Sequence, residues 1–76
     1  MTKVLLVVEF DILKHRFYDC YGAIGREENM EEEVKDKFIN RLIECEKKLY
    51  FPIEEDVFAT IKNEFEEIVK DLNNEL

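Results

Sequence analysis

The 76-residue sequence contains no Trp, no Ser, one Pro, two Gly and two Cys. Without Ser, a Ser-His-Asp triad is excluded, and with so few glycines no glycine-rich phosphate loop is present. The cysteines, Cys20 and Cys45, and the single histidine, His15, lack the close paired spacing of zinc ligands. Glu9 and Asp11 have no third carboxylate or lysine placed to complete a nuclease-like metal site. We therefore expect no catalytic residue, no metal and no cofactor, and a protein that is not an enzyme.

Long hydrophobic runs are also absent. The aliphatic run Val4–Val8 stops at Glu9, which is too short for the apolar region of an export signal or for a membrane span. We therefore expect a cytoplasmic protein without membrane contact. In that compartment Cys20 and Cys45 are expected to be reduced, buried and structural.

What is present favours a folded chain. Hydrophobic residues make up 46 % of the sequence, with six Phe and three Tyr, which is too many for a disordered acidic tail. We predict a single domain over residues 1–76. Because a domain of this size buries a small core, self-association is a common source of additional stability, and we expect a homodimer.

The N-terminal segment has the pattern of a β-strand. Val4–Val8 is a continuous aliphatic run, and apolar and acidic residues alternate from there to Asp11. The segment 11–22 fits either a helix that begins at Asp11 and stops at Gly22 or a second, aromatic-rich strand. The strand would pair the first one within the chain, although its turn lacks the usual Gly or Asn. We predict a β-hairpin, which makes residues 1–24 the β-rich part of the chain.

The first predicted helix runs from Asn29 to about Tyr50. Asn29 is placed as its N-cap, with Glu32 in the capping-box position three residues later. Its apolar residues are spaced 4-4-3-4 and form one stripe: Val34, Phe38, Leu42, Cys45 and Leu49.

The second predicted helix runs from Ile53 to about Asn73, with Pro52 starting it at a first-turn position. Its apolar face comprises Val57, Phe58, Ile61, Phe65, Ile68 and Leu72. Because the connection at Phe51-Pro52 is short, the helical pair of residues 29–73 should be antiparallel. The predicted fold class is a small α+β domain, with the N-terminal β-hairpin packed on this pair of α-helices.

The charge of the chain is strongly segregated. Residues 1–26 hold three acids and four bases, whereas residues 27–76 hold sixteen acids and seven bases, so the net charges are +1 and −9 and their sum is −8. A polyanionic surface attracts basic partners and repels nucleic acid and anionic membranes. We therefore expect a basic protein as partner, and no direct contact with nucleic acid.

The candidate partner-binding residues are four acids of the last helix, spaced at 8, 3 and 4 residues: Asp56, Glu64, Glu67 and Asp71. On a helix they fall on one side and form a ladder of like charges roughly 20 Å long. Lys62 and Lys70 are placed on the far side of the same helix. Such a ladder presents anions to a phosphate-binding groove. The alternative is a solvated face that serves solubility.

In size, expected compartment and charge of the helical half, the chain is similar to the small acidic phage proteins called DNA mimics, which occupy host DNA-binding proteins or nucleases. The similarity rests on no motif, so it assigns no residue. It implies an inhibitor or antagonist of a basic DNA- or RNA-binding protein. The alternative from another class is a dimeric structural or regulatory interaction module whose charge serves only solubility.

Overall fold

The computed structural model describes residues 2–50 and 54–76. These residues form three α-helices and one short 3-10 helix, which are α1 (Lys3–Arg26), α2 (Glu32–Glu46), the 3-10 helix Lys47–Tyr50, and α3 (Glu55–Glu75). No β-strand occurs among the described residues. The predicted α+β class and the predicted N-terminal β-hairpin are therefore wrong, and the described chain is all-helical.

Helix α1 covers the segment for which the hairpin was predicted. Its buried side chains recur at helical spacing on one face and are Leu6, Phe10, Leu13, Phe17 and Ile24. Val4, Val7 and Val8, which gave the run its strand-like pattern, lie outside this stripe and are exposed. Since the strand preference of β-branched residues depends strongly on context, burial of the helical stripe decides the structure.

The ends of α1 differ from those predicted for segment 11–22, both as a helix from Asp11 to Gly22 and as a strand. Thr2 caps the helix, because its hydroxyl oxygen accepts a hydrogen bond from the Leu5 N–H at 3.2 Å. Asp11 and Gly22 lie inside the helix, which continues to Arg26. A glycine stops a helix by adopting a left-handed backbone, and no described glycine has a positive φ.

Helix α2 exists as predicted but begins and ends elsewhere. It starts at Glu32, because Asn29 lies in the preceding turn and donates its N–H to Glu27 Oε1 at 3.2 Å. The capping box predicted for Asn29 and Glu32 is therefore not formed. The last turn tightens into the 3-10 helix that reaches Tyr50.

Helix α3 extends to Glu75, slightly beyond the predicted end near Asn73. The predicted connection at Phe51-Pro52, the first-turn position of Pro52 and the start at Ile53 lie outside the described residues.

Ion pairs show that α2 and α3 are antiparallel, as predicted. Arg41 pairs with Asp71 at 3.0 Å, and Lys48 pairs with Glu64 at 2.8 Å. Moving seven residues forward on α2 therefore means moving seven residues back on α3.

Aromatic pairs fix α1 against α3 in the same direction. The ring centroids of Phe10 and Phe58 lie 5.3 Å apart, and those of Phe17 and Phe65 lie 4.6 Å apart. Helix α1 therefore takes the place assigned to the hairpin and covers the helical pair.

All three α-helices and the 3-10 helix contribute to one apolar core. On α2 and α3, the predicted apolar positions are buried except for Val34 and Val57, which are half-buried. Cys45 is buried and Cys20 is half-buried, and both are free thiols. The described chain is elongated, with principal extents of 42 × 19 × 16 Å.

Candidate functional site

The predicted acidic ladder lies beside α2. Glu64 and Glu67 line an open groove between α2 and α3, together with Arg41 and Lys48. Asp56 lies further toward the start of α3, in a shallow depression that Lys48 also lines. The structure therefore places the ladder along the α2 side of α3, next to bases that belong to another part of the chain.

Two of the four ladder carboxylates are paired with these bases. Lys48 Nζ donates to both carboxylate oxygens of Glu64 at 2.8 Å. Arg41 Nη2 lies 3.0 Å from Asp71 Oδ2. Lys62 and Lys70 are the bases on the same helix as the ladder, and pairing with bases of other helices depends on a register that a linear sequence does not show.

The Glu64 carboxylate is electrostatically stabilised as an anion by its partner. The hydrogen bond from Lys48 lowers the pKa of Glu64, and the same bond raises the pKa of Lys48. Below this pair, the Cys45 thiol donates to the Ile61 carbonyl oxygen at 3.7 Å. Burial, followed by the hydrogen bond and charge of Glu64, raises the pKa of Cys45 to about 12, so this thiol is neutral at physiological pH and a poor nucleophile.

The other two ladder carboxylates, Asp56 and Glu67, are exposed. Neither has an ion-pair partner within residues 2–50 and 54–76. The negative surface also includes exposed acids that the prediction did not assign to the site, among them Glu66 on α3 and Glu33 and Asp36 on α2. The helix dipole alone explains first-turn acids such as Glu33, so they are weaker evidence of a site.

A second surface, which sequence reasoning missed, lies on α1. Five aliphatic side chains are exposed there by 43–73 %, and we call them the aliphatic face: Val4, Leu5, Val7, Val8 and Ile12. The hairpin prediction placed Val4–Val8 in a strand and Ile12 in the turn. The 3-4 spacing of Leu5, Val8 and Ile12 is the signal that would have revealed a second apolar face on a helix.

The basic and aromatic residues of α1 are used in packing. Phe17 is fully buried, and the Arg16 guanidinium lies 4.9 Å from the Phe65 ring centroid. Lys14 Nζ lies 5.5 Å from the ring centroid of Tyr50, the last residue of the 3-10 helix. These contacts hold α1 on its neighbours.

A tyrosine–carboxylate cluster joins α1 to the end of α2. Tyr21 donates its hydroxyl to Glu46 Oε1 at 2.6 Å, and Tyr50 donates to Glu46 Oε2 at 3.2 Å. The cluster is an interhelical contact that fixes α1 against α2.

No group of three or more His, Cys, Asp and Glu side chains in the described part of the chain is arranged to hold a metal ion. No described helix is both long enough and apolar enough to cross a membrane. No family model, no curated protein and no solved structure matches this chain.

Proposed function

We propose that this chain is a non-enzymatic binding protein that antagonises a basic, nucleic-acid-binding protein through the acidic ladder of α3, which is Asp56, Glu64, Glu67 and Asp71. The observation that carries the proposal is the segregation of charge, with a net −9 in residues 27–76. Exposed Asp56 and Glu67 offer carboxylates that no described base compensates. Such a field attracts basic surfaces and accelerates their association.

The two internal ion pairs are compatible with this function. Side chains in the Lys48–Glu64 pair are 47 % and 40 % exposed, and those in the Arg41–Asp71 pair are 35 % and 40 % exposed. Ion pairs with this much solvent contact contribute about 0–1 kcal/mol. Lys or Arg side chains of a partner therefore compete for Glu64 and Asp71 at little cost.

The test is displacement of a fluorescein-labelled DNA duplex from a purified histone-like DNA-binding protein. The ladder variant carries Glu64→Gln, Glu67→Gln and Asp71→Asn. The matched control carries Glu31→Gln, Glu33→Gln and Asp36→Asn on the first turns of α2, which changes the net charge equally, from −8 to −5. We expect the parent to displace the duplex at low salt and the ladder variant to be about tenfold weaker, which corresponds to roughly 1.4 kcal/mol.

The control should stay within about twofold of the parent if the ladder is the contact surface. Equal weakening of both variants would assign the effect to net charge and remove the ladder as a site. Failure of the parent to displace the duplex even at low salt, where the Debye length is longest, would contradict the proposal for this class of partner.

A dimeric structural or regulatory interaction module is the second candidate, and the aliphatic face of α1 favours it. Salt dependence separates the two functions. Contact through the acidic surface weakens as salt rises, whereas apolar contact between two chains of net charge −8 strengthens because their repulsion is screened.

A further inference from the structure

We propose that the aliphatic face of α1 is the contact surface of a homodimer, in which α1 packs against α1 of a second copy in antiparallel orientation. The proposal does not rest on the acidic-partner function, because it uses a different surface and a different physical force.

The aliphatic face is large for a chain of this size. Val4 is 73 % exposed and Leu5 is 55 % exposed, and the other three members are each exposed by more than two fifths. Together they present about 400 Å² of apolar surface, the size of the largest apolar patch on a typical monomer, which is often functional. Leu5, Val8 and Ile12 follow the 3-4 spacing by which one helix packs along another.

Charge favours a second copy of this chain as the occupant. The aliphatic face lies in residues 3–13, whose charged residues Lys3, Glu9 and Asp11 sum to −1, whereas residues 27–76 carry −9. Contact between two copies through α2 and α3 would bring two polyanions together, and contact through α1 does not. A basic partner is drawn to the acidic surface, and an anionic membrane is repelled by the total charge of −8.

Charge also favours the antiparallel orientation. The aliphatic face lies in the first half of α1, and the acidic segment begins just after the other end of the helix, at Arg26. Antiparallel pairing centred on Val8 places the two Arg26 positions about 50 Å apart. Parallel pairing would place the two acidic segments side by side along the same length of the dimer, where their mutual repulsion is stronger.

The expected dimer is weak. Burying the aliphatic face on both copies removes about 800 Å² of apolar surface, which is less than the roughly 1,200 Å² at which stable interfaces begin and is typical of weak, transient ones. We therefore expect dissociation in the micromolar range and a monomer–dimer equilibrium that is visible at ordinary concentrations.

Sedimentation equilibrium from 5 to 500 μM tests the proposal with Val8→Lys. The matched control is Ile43→Lys, because Ile43 is also an exposed aliphatic residue, 39 % exposed, but lies on α2. Both variants change the net charge from −8 to −7, which reduces repulsion between copies. We expect the control to dimerise like the parent and Val8→Lys to raise the dissociation constant at least tenfold, with helical circular dichroism unchanged.

The uncharged variant Ile12→Gln provides the second measurement, since Ile12 is 49 % exposed and its replacement leaves the charge unaltered. It should also weaken the dimer. A parent that is monomeric at 500 μM, or a Val8→Lys variant that dimerises like the parent, overturns the proposal. A monomeric parent that binds phosphatidylcholine vesicles and loses this binding on Val8→Lys assigns the face to lipid and also overturns it.

Salt distinguishes failure of this proposal from failure of the acidic-partner function. Between 0.05 and 0.5 M salt the dimer should tighten, because screening reduces repulsion between the acidic segments. A dimer that loosens with salt is held by ion pairs and contradicts an apolar interface.

Orientation is measured by a spin label at Asp19→Cys in a background with Cys20→Ala and Cys45→Ala. Asp19 is exposed on α1, eleven residues beyond Val8. The antiparallel dimer places the two labels about 30 Å apart along the helix axis, whereas the parallel dimer places them at roughly interhelical distance, about 10 Å. The short distance would overturn the antiparallel arrangement.

Discussion

The two halves of α1 bury similar faces but differ in their exposed side chains and in their polar contacts with other helices. Residues 3–13 contribute three buried side chains, and residues 14–26 contribute two, Phe17 and Ile24. The first half carries all five members of the aliphatic face, and among the described residues it makes no side-chain hydrogen bond or ion pair to another helix. The second half contacts the end of α2 and the 3-10 helix through Lys14 and the tyrosine–carboxylate cluster.

The two halves of α1 differ because they have different neighbours. Lys14 lies over the ring of Tyr50, the last residue of the 3-10 helix. The described end of that helix therefore lies beside the middle of α1. Beyond that point α1 packs on α3, as the Phe10–Phe58 contact shows. The outward side of α1 is exposed in both halves; it carries the aliphatic face in the first half and polar residues such as His15, Asp19 and Arg26 in the second.

The largest expected effect breaks the second half of α1 away from α3. Phe17 is fully buried with its ring centroid 4.6 Å from that of Phe65, so Phe17→Ala should cost about 3–5 kcal/mol in the free energy of unfolding. Since small domains have little stability to lose, we expect the variant to be largely unfolded in urea titrations followed by circular dichroism.

Val8→Ala is the matched change in the first half. Val8 is 46 % exposed and Ala is the better helix former, so below the dimer dissociation constant the variant should be neutral or stabilised by about 0.5 kcal/mol. A loss above about 1 kcal/mol would show that Val8 is buried within the single chain.

Tyr21→Phe sharpens the comparison by removing a polar contact of the second half. It deletes the 2.6 Å hydrogen bond to Glu46 and should cost about 1–2 kcal/mol at pH 7. Burial, then the hydrogen bond to Glu46, raises the pKa of Tyr21 above its usual value. The contribution of Tyr21 is therefore complete below pH about 10 and is lost as pH rises through the raised pKa.

Urea unfolding at pH 7 and at increasing alkaline pH measures this difference. Tyr18→Phe, at a 54 % exposed residue of the same helix, should have the smaller effect at pH 7. The reverse order would mean that the Tyr21–Glu46 bond does not hold the second half of α1.

The smallest effect concerns an ion pair that does not involve α1. Lys48→Gln should lower stability by less than about 1 kcal/mol at neutral pH, because the Lys48–Glu64 pair is well exposed. The lowered pKa of Glu64 means that this contribution is present above the usual Glu pKa and is lost as pH falls through the lowered value. Parent and variant should therefore converge in acid, and a difference that grows in acid would contradict the assignment.

Sequence patterns predicted α2 and α3 because each carries one apolar stripe with polar residues on the remaining surface. For α1 they failed because this helix has apolar side chains on two faces. Leu6 and Phe10 point into the core, while Val4 and Val8 do not, and together they produce a continuous run that is typical of a buried strand.

The sequence predicts which acids share one side of α3, but it does not predict which of them form ion pairs. The positions of Glu64 and Asp71 on one side of a helix follow from 3.6-residue periodicity. Their pairing with Lys48 and Arg41 depends on how far α2 slides along α3, and that distance is set by core packing. The expectations of a basic partner, a homodimer, reduced cysteines and a cytoplasmic location remain predictions.

The shared direction of α1 and α3 has a consequence for protein engineering. Residue 2 and residue 76 stand at opposite ends of a rod 42 Å long. Circular permutation would need a linker of at least about 12 extended residues to join them. A fluorescent domain fused after Leu76 leaves the beginning of α1 unobstructed, whereas one fused before Thr2 sits beside Val4 and Leu5 and shields them.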